Sequence, residues 1–124
     1  MFKILAFTKG KIIAFRAEGK LEKADYDKIN ALFEKTKREY DKLRLFIRID
    51  PSEIEGIEPA ALWKDFITYF RYFNDIEKLV VVGTGKWEEN ITRLAKPFIA
   101  GEVRYYPIEE DSEARRWIED GDQD

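Results

Sequence analysis

Four carboxylates, Asp50, Glu53, Glu55 and Glu58, crowd one short stretch of the chain. Carboxylates at this density could exchange protons as general acid and base, or hold a hard cation. A calcium loop is excluded by spacing: counted from Asp50, the fifth position is Ile54 and the twelfth is Ala61. No nucleophile stands beside them, so the plain reading is a solvated acidic loop. A second stretch, Gly83-Thr84-Gly85-Lys86-Trp87, has the look of a phosphate loop. That motif requires Ser or Thr after the Lys and a Gly six residues before it, and here those places hold Trp87 and Val80. A strand-to-helix turn accounts for these glycines, with backbone N–H groups that could meet an anion casually.

The residue inventory narrows the chemistry further. The chain has no His and no Cys, which removes the usual general base, the thiol nucleophile and the best zinc ligands. An enzyme is not expected, and neither is a metal or other cofactor. A net charge of −3 argues against a nucleic-acid partner, which normally meets a basic surface. The absence of Cys fits a reducing compartment. No apolar run approaches the roughly 20 residues of a spanning helix. Lys3 and Lys9 interrupt the apolar residues at the start, so no leader pattern is present. A cytoplasmic location, at most peripheral to a membrane, is the expectation. With 124 residues, 44% hydrophobic and 38% charged, the chain should form one domain over residues 1–120 and a loose tail over 121–124.

The elements that must position these groups follow from periodicity. Residues 2–7 and 11–18 flank Thr8-Lys9-Gly10 and read as an antiparallel hairpin. Residues 22–40 carry Tyr26, Ile29, Leu32, Phe33, Thr36 and Tyr40 at helical spacing. Glu22 is a weaker N-cap than Ser or Thr. In 43–49, Leu43, Leu45, Ile47 and Ile49 oppose Arg44, Phe46 and Arg48. A parallel strand covered on both sides should be apolar throughout, so one sheet face is expected to meet water, with the helices mainly on the other. Arg16, Arg44, Arg48 and Arg104 would line that open face, simply solvated or serving as a subunit interface or a patch for anionic headgroups. Residues 78–83 read as an apolar strand, 86–96 as a helix stopped by Pro97, 102–106 as the last strand and 112–119 as a final helix.

Residues 59–73 hold the strongest signal. Pro59 suits a first helical turn, and Leu62, Phe66, Tyr69 and Phe73 cluster on a wheel, with Phe70, Trp63 and Ile67 extending the arc. The apolar sector spans roughly 160°, against the ~100° of an ordinary core-facing helix. Either the helix is wedged between neighbours, or Trp63 and Ile67 form an exposed rim that meets a ligand, a partner or a bilayer. Phe98 is a candidate second rim.

The order β-β-α-β-α-β-α-β-α resembles the SpoIIAA-like fold of STAS domains. The carrying residues are Gly19-Lys20-Leu21 with Asp25-Tyr26, Leu43-Arg44-Leu45, Ala61-Leu62-Trp63-Lys64-Asp65 and Val81-Val82-Gly83 with Lys86-Trp87. They continue through Ala95-Lys96-Pro97-Phe98, Glu102-Val103-Arg104-Tyr105 and Ala114-Arg115-Arg116-Trp117. The resemblance implies an α/β fold wound as a β-α superhelix. Its mixed sheet of five strands opens with an antiparallel hairpin and continues parallel, with four helices mainly on one face. It also implies a non-enzymatic domain. Anti-sigma-factor antagonists of the wider fold bind a kinase partner and are switched by phosphorylating a serine at the start of the second helix. The matching stretch here, Ile57-Glu58-Pro59-Ala60-Ala61-Leu62, has no hydroxyl to accept a phosphate. Ser52 lies about seven residues upstream and reads as a turn residue after Asp50-Pro51. The closer SpoIIAA-like branch is thought to bind lipid-like or other apolar ligands, or membranes, through the second-helix region.

The resulting expectation is a binding or regulatory domain. Leu62, Trp63, Phe66, Ile67, Phe70 and Phe98 form the contact set for an apolar ligand or a membrane surface. The alternative is a STAS-type protein-interaction module without a phosphorylation switch, meeting a protein partner or a second copy through Asp50, Glu55 and Glu58.

Overall fold

The computed structural model describes residues 1–54, 59–84 and 93–120, apart from the side chains of 51–54, 59, 60, 63 and 98. Five strands, β1 (Phe2–Ile4), β2 (Ile12–Gly19), β3 (Leu43–Ile54), β4 (Ile76–Gly83) and β5 (Glu102–Pro107), form one sheet in chain order. β1 runs antiparallel to β2, and every later pair is parallel. Helices α1 (Lys23–Lys37) and α2 (Pro59–Tyr69) cross between parallel strands, and α3 (Asp111–Glu119) follows β5. Residues 93–95 are also helical, ahead of a 3₁₀ turn over Lys96–Phe98 with Pro97 inside it.

Parallel strands laid down in sequence order, joined by crossovers of one hand, send every crossover to the same side of the sheet. That side holds the larger core. Ile13, Phe15, Leu45, Ile47, Leu79 and Val81 pack there against Ile29 and Phe33 of α1 and Leu62 and Phe66 of α2. Burying aromatic and aliphatic side chains of this size stabilises the fold by ~1.5–3 kcal/mol each. The start of α1 is better secured than Glu22 alone promises, because Asp25 reaches back and accepts a hydrogen bond from the Glu22 N–H at 2.8 Å.

The opposite face is not open to water. Alternation along β3 is as expected, but α3 and the segment after β1 cover the Arg44–Phe46–Arg48 side. Ile12, Ala14, Phe46, Val80 and Val82 are buried there with Ala114 and Ile118, and Leu5, Phe7 and Trp117 pack on them. The expected row of solvated arginines is therefore corrected on β3, where Arg44 is only 4% exposed and both arginines anchor the helix that covers them. Arg16 pairs with Glu18, while Arg104 keeps a side chain 50% exposed. Arg44 and Arg48 lie about 13 Å apart along the strand, and the nine residues of α3 span about the same length. Arg48 Nε donates to Asp111 Oδ1 at 3.1 Å, where the helix begins. Arg44 Nη1 donates to the carbonyls of Ile118 and Asp120 at 2.8 and 2.7 Å, where it ends. Carboxylate at the start and cations at the end also complement the helix dipole.

Two helix ends differ from the sequence reading. α1 stops at Lys37, and α2 stops at Tyr69. Beyond α2, Tyr72 takes a left-handed conformation (φ 69°), and Phe73–Asp75 form a 3₁₀ turn. The side chain of Asn30, from α1, fixes this exit. Its Nδ2 donates to the Tyr69 carbonyl at 2.8 Å, and its Oδ1 accepts the Arg71 N–H at 2.9 Å. The expected loop residues Glu55 and Glu58, residues 86–92 of the expected 86–96 helix with Trp87, and the tail over 121–124 lie outside the described residues.

Candidate functional site

α2 is seated on the sheet by Leu62 and Phe66, and the same row continues with Phe70 just past the end of the helix; all three are buried. Four-residue steps keep them on one side of the helix. Phe66 and Phe70, with ring centroids 5.2 Å apart, join an aromatic cluster. Phe2 lies 5.9 Å from Phe66 and 5.7 Å from Phe70, and Tyr26 lies 5.1 Å from Phe70. These tilted and edge-on contacts are favourable beyond the area they bury. Three of the six expected contact residues are thus core residues in this arrangement. Ile67 is half-buried on one flank of the row and packs on the same core. Tyr69, read from the sequence as inward, is 44% exposed on the other flank, its ring 5.2 Å from that of Tyr26. The side chains of Trp63 and Phe98 are outside the described residues. Asp50 is half-buried at the carboxyl-terminal half of β3.

Tyr26 is a residue that the periodicity placed only in the core. Its hydroxyl is buried and without a hydrogen-bond partner among the described residues. Burial first, then the charges of Asp65 and Asp25 and the neighbouring Tyr69, raise its pKa far above the usual phenol value. The shift favours the protonated phenol, which is a hydrogen-bond donor.

On the α3 side the groups with shifted proton affinity belong to one ionic cluster. Glu77 accepts from Arg44 Nε at 2.7 Å and pairs with Lys11 at 3.0 Å. A register shift between Leu43 and Arg44 pairs them with Ile76 and Lys78, leaving Glu77 as the extra residue of β4. This bulge turns its carboxylate toward Arg44. Burial alone would raise the Glu77 pKa, but hydrogen bonds from Arg44 and Lys11, and their charges, outweigh it and hold the carboxyl below its ordinary range. Lys78 donates to the carbonyls of Trp117 and Asp120 at 3.1 and 2.9 Å. Burial, then the charge of Arg44, lowers its pKa. Arg44 and Lys78 thus close the end of α3, and Glu77 and Lys11 hold Arg44 in place. Among the described residues no group of three carboxylates is placed to hold a metal ion.

The profile of the SpoIIAA-like family matches residues 12–119. The chain belongs to the SpoIIAA-like family. A similar solved structure is the crystal structure of an uncharacterized protein from the DUF3478 family with a SpoIIAA-like fold, from Shewanella loihica PV-4. The two chains are 25% identical and superpose with a TM-score of 0.63, over 95% of this chain and 92% of that one. A search of curated proteins gives no match. SpoIIAA-like domains are generally non-enzymatic. Among the described residues no helix is long and apolar enough to cross a membrane.

Proposed function

We propose that this SpoIIAA-like domain is a non-enzymatic binding module that meets an apolar, lipid-like ligand or a membrane surface through α2. The observation that supports it is the division of α2. One row, Leu62, Phe66 and Phe70, suffices to seat the helix. Ile67 on one flank and Tyr69 on the other leave apolar surface beside that row. Membrane contact of this kind is peripheral. An amphipathic helix lies in the interface plane with its apolar flank inserted, and an aromatic with a polar tip suits that depth. In the seated position the contact begins at Ile67 and Tyr69, with Trp63 and Phe98 completing the set. Leu62, Phe66 and Phe70 reach a ligand only if α2 lifts from the sheet about its Asn30-held end.

Flotation with anionic vesicles tests this reading. The wild-type protein should float with the vesicles, and Tyr69→Asp and Ile67→Asp should each reduce the floated fraction several-fold. Thr68→Asp, an exposed position between them, controls for added charge and should change it little. Failure of the wild type to float, together with native mass spectra free of bound lipid, would reject the proposal.

A second reading is a protein-interaction module that operates without phosphorylation. The first two turns of α2 favour it, since Ala61 and Lys64 are exposed there and no hydroxyl occupies residues 57–62. Charge reversal at Glu55 and Glu58, with Asp50 as the third acidic contact, should then release a co-purifying partner while leaving vesicle flotation intact.

A further inference from the structure

The two edges of the sheet end differently. β1 closes one edge with three residues paired to β2. β5 forms the other with six, in unbroken register with β4 from Lys78↔Glu102 to Gly83↔Pro107. Among the described residues nothing pairs with its outer side. An edge strand of this length presents unpaired backbone N–H and C=O groups to any other strand, and soluble proteins usually block such edges with lysine, an internal proline or a bulge. β5 carries no lysine, proline or bulge inside Glu102–Tyr106, and its only charged side chains are Glu102 and Arg104.

Its exposed charges are of opposite sign. Glu102 and Arg104 have side chains 67% and 50% exposed and form only a loose pair at 3.9 Å. Standing two residues apart, they share one face of the sheet. A like-charged pair would repel a second copy of the strand, whereas Glu-x-Arg is complementary to itself. When two β5 strands run antiparallel about a two-fold axis at Val103, Glu102 of each copy lies directly opposite Arg104 of the other. Centring the axis one residue later sets arginine against arginine, so the charges select one register. Arg104 is already oriented, with its guanidinium 4.7 Å from the Trp117 ring centroid and Nη1 donating to the Tyr106 hydroxyl at 3.4 Å. A cleft of about 340 Å³ lined by Glu113, Arg116, Trp117 and Asp120 extends this surface along α3.

We propose that β5 is the interface of an isologous homodimer, in which two five-stranded sheets join edge to edge through Glu102–Arg104 pairs about Val103. The arrangement uses one patch on both subunits, as a closed two-fold contact requires. It involves β5 and α3 and is independent of α2, so a failure of vesicle binding leaves it intact.

Sedimentation equilibrium of the full chain tests it. The wild type should approach twice the chain mass of 14.7 kDa as concentration rises. Symmetry places each substitution in the interface twice, so Glu102→Arg and Arg104→Glu should each weaken association about tenfold or more. The double variant Glu102→Arg/Arg104→Glu should recover it. Arg104→Lys keeps the charge and should stay dimeric, separating the pairing from the loss of the Trp117 contact. Unchanged circular-dichroism melts would show that the variants fold. A wild type that stays monomeric at its highest soluble concentration overturns the proposal. So does a dimer indifferent to both single charge reversals, or a double variant that does not recover.

Discussion

Replacing Arg44 with Met should loosen α3 selectively, and its cost can be worked from the contacts. Arg44 makes three hydrogen bonds, to Glu77, the Ile118 carbonyl and the Asp120 carbonyl. Summing them as charged bonds would overstate the loss, because two acceptors keep other partners. Glu77 retains Lys11 at 3.0 Å, and the Asp120 carbonyl retains Lys78 at 2.9 Å. The Ile118 carbonyl alone loses its described donor, in a buried setting. An orphaned buried carbonyl costs ~1–3 kcal/mol, and the remaining loss of a partly buried ion pair adds about 1 kcal/mol. Removing Arg44 also relieves Lys78, whose pKa its charge lowers. The balance is about 2–4 kcal/mol, or roughly 6–20 °C in Tm for a chain of this size. Urea unfolding should show a lower midpoint with an unchanged slope, and hydrogen exchange should speed up in residues 111–120 before the sheet is affected. Arg44→Lys keeps a charge but not a fork that spans three acceptors, so it should fall between. An Arg44→Met protein that melts within about 2 °C of the wild type, with α3 equally protected, would refute the view that this arginine holds the helix end.

Three further outcomes follow from the same contacts. Gly101→Ala would bring a Cβ within 2.1 Å of the Glu77 carbonyl oxygen, a clash with backbone that no rotamer relieves, so a loss of ~3 kcal/mol or more is expected in thermal melts. Asn30→Ala removes both hydrogen bonds at the exit of α2 from a residue only 5% exposed, and should cost about 2–3 kcal/mol by urea unfolding. The depressed carboxyl pKa of Glu77 stabilises the fold above its ordinary value of 4.5, and that contribution disappears as pH falls through the folded-state value. The wild type should therefore lose stability more steeply on acidification than Lys11→Met does; parallel acid curves would contradict this.

The sequence was most legible where one periodicity governed a segment. The alternation of Leu43 to Ile49 placed each β3 side chain on its proper face, and the stripe Ala114, Trp117 and Ile118 turned α3 inward. What alternation could not say was what lies opposite. Arg-Phe-Arg reads as a wet face in one dimension, but a long arginine stem packs as hydrocarbon while its head reaches a helix end. Only the return of the chain over β3 shows that Arg44 and Arg48 are spaced to hold α3. The ending of α2 was hidden for a similar reason: nothing local predicts that Asn30, far earlier in the chain, would accept and donate at Tyr69 and Arg71. Counting Tyr72 and Phe73 as helical widened the apparent apolar arc, so the surplus on α2 is smaller than the wheel implied. At the candidate site, Ile67, expected on an exposed rim, is half-buried and packs on the core, whereas Tyr69, expected inward, emerges on the surface at the end of the helix. The bulge at Glu77 and its contact with Gly101 left no sequence signal beyond the glycine itself.

The most direct test of the membrane-binding account is hydrogen exchange across the whole chain with and without anionic vesicles. Protection gained over residues 59–73, with α3 and the β2–β4 centre of the sheet unchanged, is the predicted result. An exchange pattern in which α2 is indifferent to the vesicles, or in which protection appears only on the α3 side, would contradict it.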